Sequence, residues 1–442
     1  VLVDIHNLIL SLNQLVLGWP FLLFVVGVSV LCTIAFSFIQ IRAFMAMWRY
    51  TFAPSDQARS GDMTPMQAFI TTLNSNLGNG SIGGVATALF AGGPGSALWL
   101  VVISFFLMSV RFAEVFLSTY YAQTKLPTDT FGGPMLYLKQ VVGGKQLAWL
   151  YGVLCLIFGL VGGNAIQTNT IQLSINKSWG FPPVAIAIVI FFFVLYVVTG
   201  GAQRIAKVSE ALVPIKVFVF SIATFILLAY HATSIIPALR LIWASAFSSK
   251  AIMGGAMGYA VQQAVKFGTL RSIFATESGL GTAAIIFGST GSILPIKDGV
   301  MSMLSTFIST IVCFVVALCI VASGALSSGL TSTALTIASF QTVFGWMSGW
   351  IVSFLSVTFG AGVLVSYAYI AREAWIAIMG EHNKAWFTVV YCIVAFLGAL
   401  VAVEVIWNLV DLVMAAMLII NLYAIAYLIP VIRNYLKQHS SF

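Results

Sequence analysis

Long apolar runs constrain this chain more than any other feature. They fall at 16–40, 66–92, 96–123, 147–175, 182–199, 208–230, 251–269, 298–323, 347–371, 385–406 and 410–432 of 442 residues. A helix needs about 20 apolar residues to cross the hydrocarbon of a bilayer. Backbone amides in lipid must be satisfied within the segment, so runs of this kind are helices. The chain carries 20 basic and 12 acidic residues, where a soluble protein of its length would carry roughly 110 charged ones. The expectation is an all-α polytopic membrane protein with about 11 transmembrane helices.

The net charge of +8 reflects topology, because the basic residues are dispersed and form no nucleic-acid patch. If the first span enters from outside, Lys177, Arg240 and Lys250 lie outside, and Arg111 and Lys216 lie within or near spans. The other 15 of the 20 fall inside. That asymmetry places the N-terminus outside and the C-terminus in the cytoplasm of a multi-pass protein of the inner (plasma) membrane. Trp19, Trp99, Trp179, Trp243, Trp346 and Trp407 fall near the interfaces, as aromatic anchors do. The run after Trp19 lacks a basic flank and leads into Arg42 and Arg49, so no cleavable signal peptide is expected. The chain opens on Val1, and the native start is expected upstream.

Cys32, Cys155, Cys313, Cys319 and Cys392 lie singly in apolar runs, which points to neither a disulfide frame nor a metal cluster. The four histidines lie near helix ends or termini, which excludes the paired intramembrane ligands of a haem. No serine sits beside a histidine and no aspartate pair lies within the spans, so intramembrane proteolysis is excluded. No enzyme and no enzymatic cofactor are expected. A sensor or channel remains the alternative to a carrier.

Glycine clusters interrupt two spans: Gly78-Asn79-Gly80-Ser81-Ile82-Gly83-Gly84, and Gly254-Gly255-Ala256-Met257-Gly258. Each glycine costs about 1 kcal/mol relative to alanine in a helix. Unwound backbone at membrane depth is tolerated where protein buries it or a watery cavity meets it. Close helix packing through small residues is the alternative. Counted from the second span, the clusters fall in the first and sixth of ten helices, the spacing of an inverted five-plus-five repeat. This divides the chain into an N-terminal accessory helix and linker (1–61), a first repeat of core helices 1 to 4 (62–206), core helix 5 with an outer connection (207–250), and a second repeat of core helices 6 to 10 (251–442). The formal GxGxxG at 78–83 has no preceding strand and no acid about 20 residues on, and Asn79-Gly80-Ser81 lies mid-span, so neither the dinucleotide nor the glycosylation motif applies.

With few ionisable groups, the spans offer amides, hydroxyls and helix ends, an inventory suited to a zwitterion. A carboxylate suits the amides at the start of a half-helix, and unwound carbonyls accept from an ammonium or coordinate a monovalent cation.

The stretch from Ser75 to Gly95, read with Phe131-Gly132-Gly133-Pro134-Met135, Gly163-Asn164-Ala165-Ile166-Gln167-Thr168-Asn169, Arg204 to Glu210 and Glu277-Ser278-Gly279-Leu280-Gly281, resembles the alanine or glycine:cation symporter family over about residues 60–430. The resemblance implies a LeuT-type core that moves a small neutral amino acid with sodium, or sometimes protons. It implies substrate contacts from Gln167, from Asn76, Gly78, Asn79, Gly80 and Ser81 at the first break, and from Gly254, Gly255, Gly258 and Tyr259 at the second. Tyr367 aligns loosely with the family's tryptophan. Sodium would meet Asn76, Ser81 and Thr358. A glutamine suits the task, since it donates to a carboxylate and accepts from an ammonium; an interhelical hydrogen bond is its alternative role, as it is for Asn164 and Asn169.

The chain departs from the family pattern near the ligands. Ser81 replaces an asparagine, Ser309 an aspartate, and Gly362-Val363 falls where a threonine pair is expected. Arg111 and Glu114, three apart on one helix face, are expected to neutralise each other, with a gate or relay as the alternative. Lys207 with Glu210, and Arg271 with Glu277, are expected as exposed pairs at cytoplasmic helix ends. Asp411 is expected to cap the last span.

Overall fold

The structure, a computed structural model, describes residues 16–53, 61–123, 132–247, 256–401 and 404–439. These residues are helical, with no strand among them. Seven helical stretches are long and apolar enough to cross a membrane: Ser96–Ala122, Gly144–Trp179, Gly201–Tyr230, Pro295–Ala322, Ser332–Met379, Glu381–Leu400 and Val410–His439. Trp19–Ala35, Pro183–Thr199 and Ala232–Ala246 are shorter apolar helices.

In chain order, α1 (Trp19–Ala35), α2 (Ile39–Arg42) and α3 (Phe44–Phe52) precede the interrupted segment of α4 (Pro65–Asn76) and α5 (Gly83–Gly92). Then come α6 (Ser96–Ala122), α7 (Pro134–Leu138), α8 (Gly144–Leu160), α9 (Ile166–Trp179), α10 (Pro183–Thr199), α11 (Gly201–Tyr230) and α12 (Ala232–Ala246). A second interrupted segment holds α13 (Ala256–Thr276) and α14 (Thr282–Gly288). The chain continues through α15 (Pro295–Ala322), α16 (Ser332–Phe344), α17 (Ser348–Met379), α18 (Lys384–Leu400) and α19 (Glu404–His439). The apolar runs omit α3, α7, α12, α14 and α16, all shorter than a span; α16 also carries Ser332, Thr333, Thr336, Ser339, Gln341 and Thr342, which break up its apolar character.

The start of α4 is written locally. Thr64 and Gln67 form a capping box, with Gln67 N donating to Thr64 Oγ1 at 3.2 Å and Thr64 N to Gln67 Oε1 at 3.0 Å, and Pro65 takes the first helical turn. The half-helix then packs between α11, α15 and α17, while α5 lies against α13 and α16. The 27 residues of α6, about 40 Å of helix, run beside α15 and α13 and carry α1 on another face. Both interrupted segments are thereby held inside a jacket of long helices.

Candidate functional site

At the first break, α4 ends at Asn76 and a 3-10 turn spans Asn79–Ser81 before α5 begins at Gly83. The glycine cluster that predicts an interruption in the sequence lies at this place. The carbonyls freed at the end of α4 find charged and hydroxyl donors. Lys216 Nζ donates to the carbonyls of Asn74 (3.2 Å) and Leu77 (3.0 Å), and Ser81 Oγ to that of Asn76 (3.4 Å). Asn76 Nδ2 reaches Ser305 Oγ on α15 at 3.4 Å.

Among the described residues the second break lies at Glu277-Ser278-Gly279-Leu280-Gly281. Gly254 and Gly255 are outside the described residues, Gly258 falls within the uninterrupted α13, and the Tyr259 ring is 64% exposed. Glu277, Gly279 and Gly281 have φ of 51°, 88° and 83°. Three left-handed residues in five end a right-handed helix outright, and glycine takes such angles without strain.

The polar groups of this unwound stretch are met by the buried pair Arg111 and Glu114. Both side chains are wholly enclosed, with Arg111 Nη1 to Glu114 Oε1 at 2.7 Å. Arg111 Nη2 also donates to the Thr276 carbonyl at the end of α13, and Glu114 Oε2 accepts from the amides of Gly279 and Gly281, both at 3.0 Å. Asn421 Nδ2 donates to the Gly279 carbonyl at 2.7 Å, and Tyr151 Oη to the Leu280 carbonyl at 2.5 Å. Ser309, which stands where the family pattern has an aspartate, donates to the Ala275 carbonyl at 3.0 Å. Buried polar backbone is costly unless paired, and this network supplies the pairing.

Between the breaks lies a cavity of about 120 Å³ lined by Ser75, Asn76, Gly78, Gly80, Phe158, Gly162, Ile166, Gln167, Arg271, Phe274, Glu277, Val363, Tyr367, Val410 and Asp411. It is far smaller than the roughly 300–1,000 Å³ pockets that take drug-sized ligands. Gln167 enters from α9, just after a π-helical turn at Val161–Ala165. Its Nε2 donates to the Gly162 carbonyl (3.3 Å), and its Oε1 accepts from Asn79 Nδ2 (3.3 Å). Gly163 lets that turn close on Tyr367, since a Cβ there would fall 2.2 Å from the ring. The neighbouring amides turn away: Asn164 Nδ2 donates to the Tyr391 carbonyl and Asn169 Nδ2 to that of Val401. Tyr367 is buried and donates to Glu277 Oε1 at 2.8 Å, while Thr282 Oγ1 donates to Glu277 Oε2 at 3.0 Å.

Arg271 is the residue that the sequence reading misplaces. It is not half of an exposed pair with Glu277, for both are 8% exposed and line the cavity. Its guanidinium reaches over the first break: a Cβ on Gly80 would lie 2.6 Å from Nη2, and one on Gly84 2.0 Å from Nη1. Nε and Nη2 are buried without a hydrogen-bond partner. The available signal was its place just past the run at 251–269 and before Ser272-Ile273-Phe274-Ala275, since a charged residue at membrane depth is costly and marks a site. Of the three residues expected around sodium, Asn76 and Ser81 sit together at the first break and Thr358 stands on α17. Ser81 meets the Asn76 carbonyl, whereas Thr358 Oγ1 is turned to the Phe354 and Leu355 carbonyls of its own helix.

The model of the sodium:alanine symporter family matches residues 3–441. The sodium/alanine symporter AgcS of Methanococcus maripaludis is 30% identical over 439 residues, covering 97% of this chain and 96% of that protein. The probable sodium/glutamine symporter GlnT of Bacillus subtilis is 29% identical over 430 residues, covering 96% and 88%. Among solved structures, a substrate-bound, outward-open Na+-coupled sialic acid symporter is similar in fold, with a TM-score of 0.56 at 13% identity over 92% of this chain and 87% of that one. A multi-pass transporter rather than an enzyme is what this fold and these relatives have in common, and the chain belongs to the sodium:alanine symporter family.

Proposed function

We propose that the protein is a cation-coupled carrier of a small neutral amino acid, such as alanine or glycine, and that the cavity between the two breaks is its substrate site. The guanidinium of Arg271 carries this reading. A buried charge without a full set of partners is expensive, and a substrate carboxylate would supply the missing acceptors in a charge-assisted, two-point contact. Glu277, Asp411 and the unwound carbonyls offer acceptors for an ammonium, and Gln167 can serve either end of the ligand. The cavity volume favours a short side chain.

The counting of helices supports alternating access on an inverted repeat. With α4–α5 as the first unit, α8–α9 taken as one span and the short α7 and α12 left out, the interrupted α13–α14 is the sixth, a five-helix spacing. The helices α1 to α3 then stand outside the ten-unit core. Sodium is the ion in the names of the relatives, and the cation acts by preferring the state that binds substrate. A second reading, in which the protein meets the cation requirement itself, is favoured by Lys216.

The test is binding to purified protein of alanine, of propionate and of ethylamine. Alanine is expected to bind saturably and both half-ligands at least tenfold more weakly, with Gln167→Ala losing alanine affinity while remaining folded. Equal binding of alanine and propionate, or undiminished affinity in Gln167→Ala, would contradict the site.

A further inference from the structure

The oxygens of the first break are already engaged by a lysine side chain. Lys216 lies on α11 and is 0% exposed. Its ammonium gives two hydrogens to the carbonyls of Asn74 and Leu77, at the last turn of α4 and the first unwound residue, and stands 5.3 Å from the centre of the Phe359 ring. Among the described residues no carboxylate lies within ion-pair distance of it. Asn74 Oδ1, buried beside it, has no hydrogen-bond partner.

The facing helix α17 is shaped to the lysine. At Gly362 a Cβ would fall 2.6 Å from Lys216 Nζ and 2.2 Å from Asn74 Oδ1, so no hydroxyl-bearing side chain fits there in this arrangement. One turn earlier, Thr358 spends its hydroxyl on its own helix. Main-chain and amide oxygens converging at a helix break are the donor chemistry of a monovalent cation, and an ammonium with three hydrogens to give is a monovalent cation on a tether.

We propose that Lys216 is the resident cation of the first break: its ammonium takes the place between α4 and α17 that a sodium ion would otherwise fill, and no sodium binds there. Resting on the second of the two carrier readings, in which the protein meets the cation requirement itself, this makes substrate binding independent of sodium and ties the position of α4 to a charge carried by α11. A lysine that merely capped two carbonyls would stabilise the fold alike in every salt. A resident cation is different, because its removal creates a sodium site.

The test compares thermal unfolding of the purified full chain and of Lys216→Ala in sodium chloride and in N-methyl-D-glucamine chloride at one ionic strength. The wild type is expected to melt at the same temperature in both. Lys216→Ala should melt lower in N-methyl-D-glucamine and recover with sodium in a saturable shift of about 2 °C or more. The same sodium response in the two proteins overturns the proposal. If Lys216→Ala does not fold in either salt, the wild type decides: no sodium response supports the resident cation, and a saturable rise overturns it. Alanine affinity of the wild type should agree within twofold between the salts, and a tenfold loss without sodium overturns the proposal. Absence of alanine and glycine binding in both salts would instead count against the carrier reading, while the melting comparison still decides the role of Lys216.

Discussion

At the scale of single residues, the cavity separates groups that look alike in sequence. Gln167, Asn164 and Asn169 all stand within six residues, yet only Gln167 lines the cavity, because the other two amides are spent on the main chain at Tyr391 and Val401. Helical spacing alone cannot say which face of α9 meets a cavity, and the π-helical turn before it shifts that face again. Arg271 was hidden for a different reason: positive-inside counting treats every arginine near a span end as topology. Replacing it by Gln should weaken alanine binding about 10- to 100-fold, the worth of a charged hydrogen bond of roughly 1.5–3 kcal/mol. The melting temperature should be unchanged or higher, since a buried and partly unpaired charge is removed; calorimetric titration and thermal unfolding of one preparation check both. Gly80→Leu should abolish uptake while leaving the protein folded, because its side chain would displace the guanidinium that lies 2.6 Å from the Cβ position. Uptake within twofold of the wild type would show that this glycine serves packing alone.

At the scale of elements, the two interruptions differ in how they are written. The first is legible as glycine density around Gly78 and Gly80, where the 3-10 turn forms. The second is not: Gly258 lies within α13, and that helix ends where Glu277, Gly279 and Gly281 take positive φ. Its specification is long-range: α6 supplies Arg111 and Glu114, α19 supplies Asn421 and α8 supplies Tyr151 to the freed backbone groups. Composition within a 20-residue window contains none of that. The pair is therefore more than mutual neutralisation, for it holds the unwound stretch in register. Glu114→Ala should cost about 3–5 kcal/mol, the penalty for orphaning a buried partner, and lower the melting temperature by several degrees. Loss of less than 1 °C would show that the break holds without it.

At the scale of the whole molecule, hydrophobic run length carried the all-helical membrane class: seven helical stretches are long and apolar enough to span, and α3, α7, α12, α14 and α16 lie off the apolar runs, too short or too polar to register. The proposed pairing of interrupted segments across five helices rests on sequence order, because that spacing counts spans rather than side-chain contacts. What the runs could not carry is the composition of the cavity, which draws on α4, α8, α9, α13, α17 and α19 at once. A carrier built this way works if the cavity opens alternately to either side, with the two breaks as hinges. The most direct measurement is uptake of labelled alanine into proteoliposomes of the wild-type protein, with protein-free liposomes and Arg271→Gln as controls and glycine and propionate as competitors. A small-zwitterion carrier gives saturable uptake that glycine inhibits, that propionate leaves within twofold, and that Arg271→Gln lowers at least tenfold. Uptake no greater than in protein-free liposomes, for alanine and glycine alike, would contradict it.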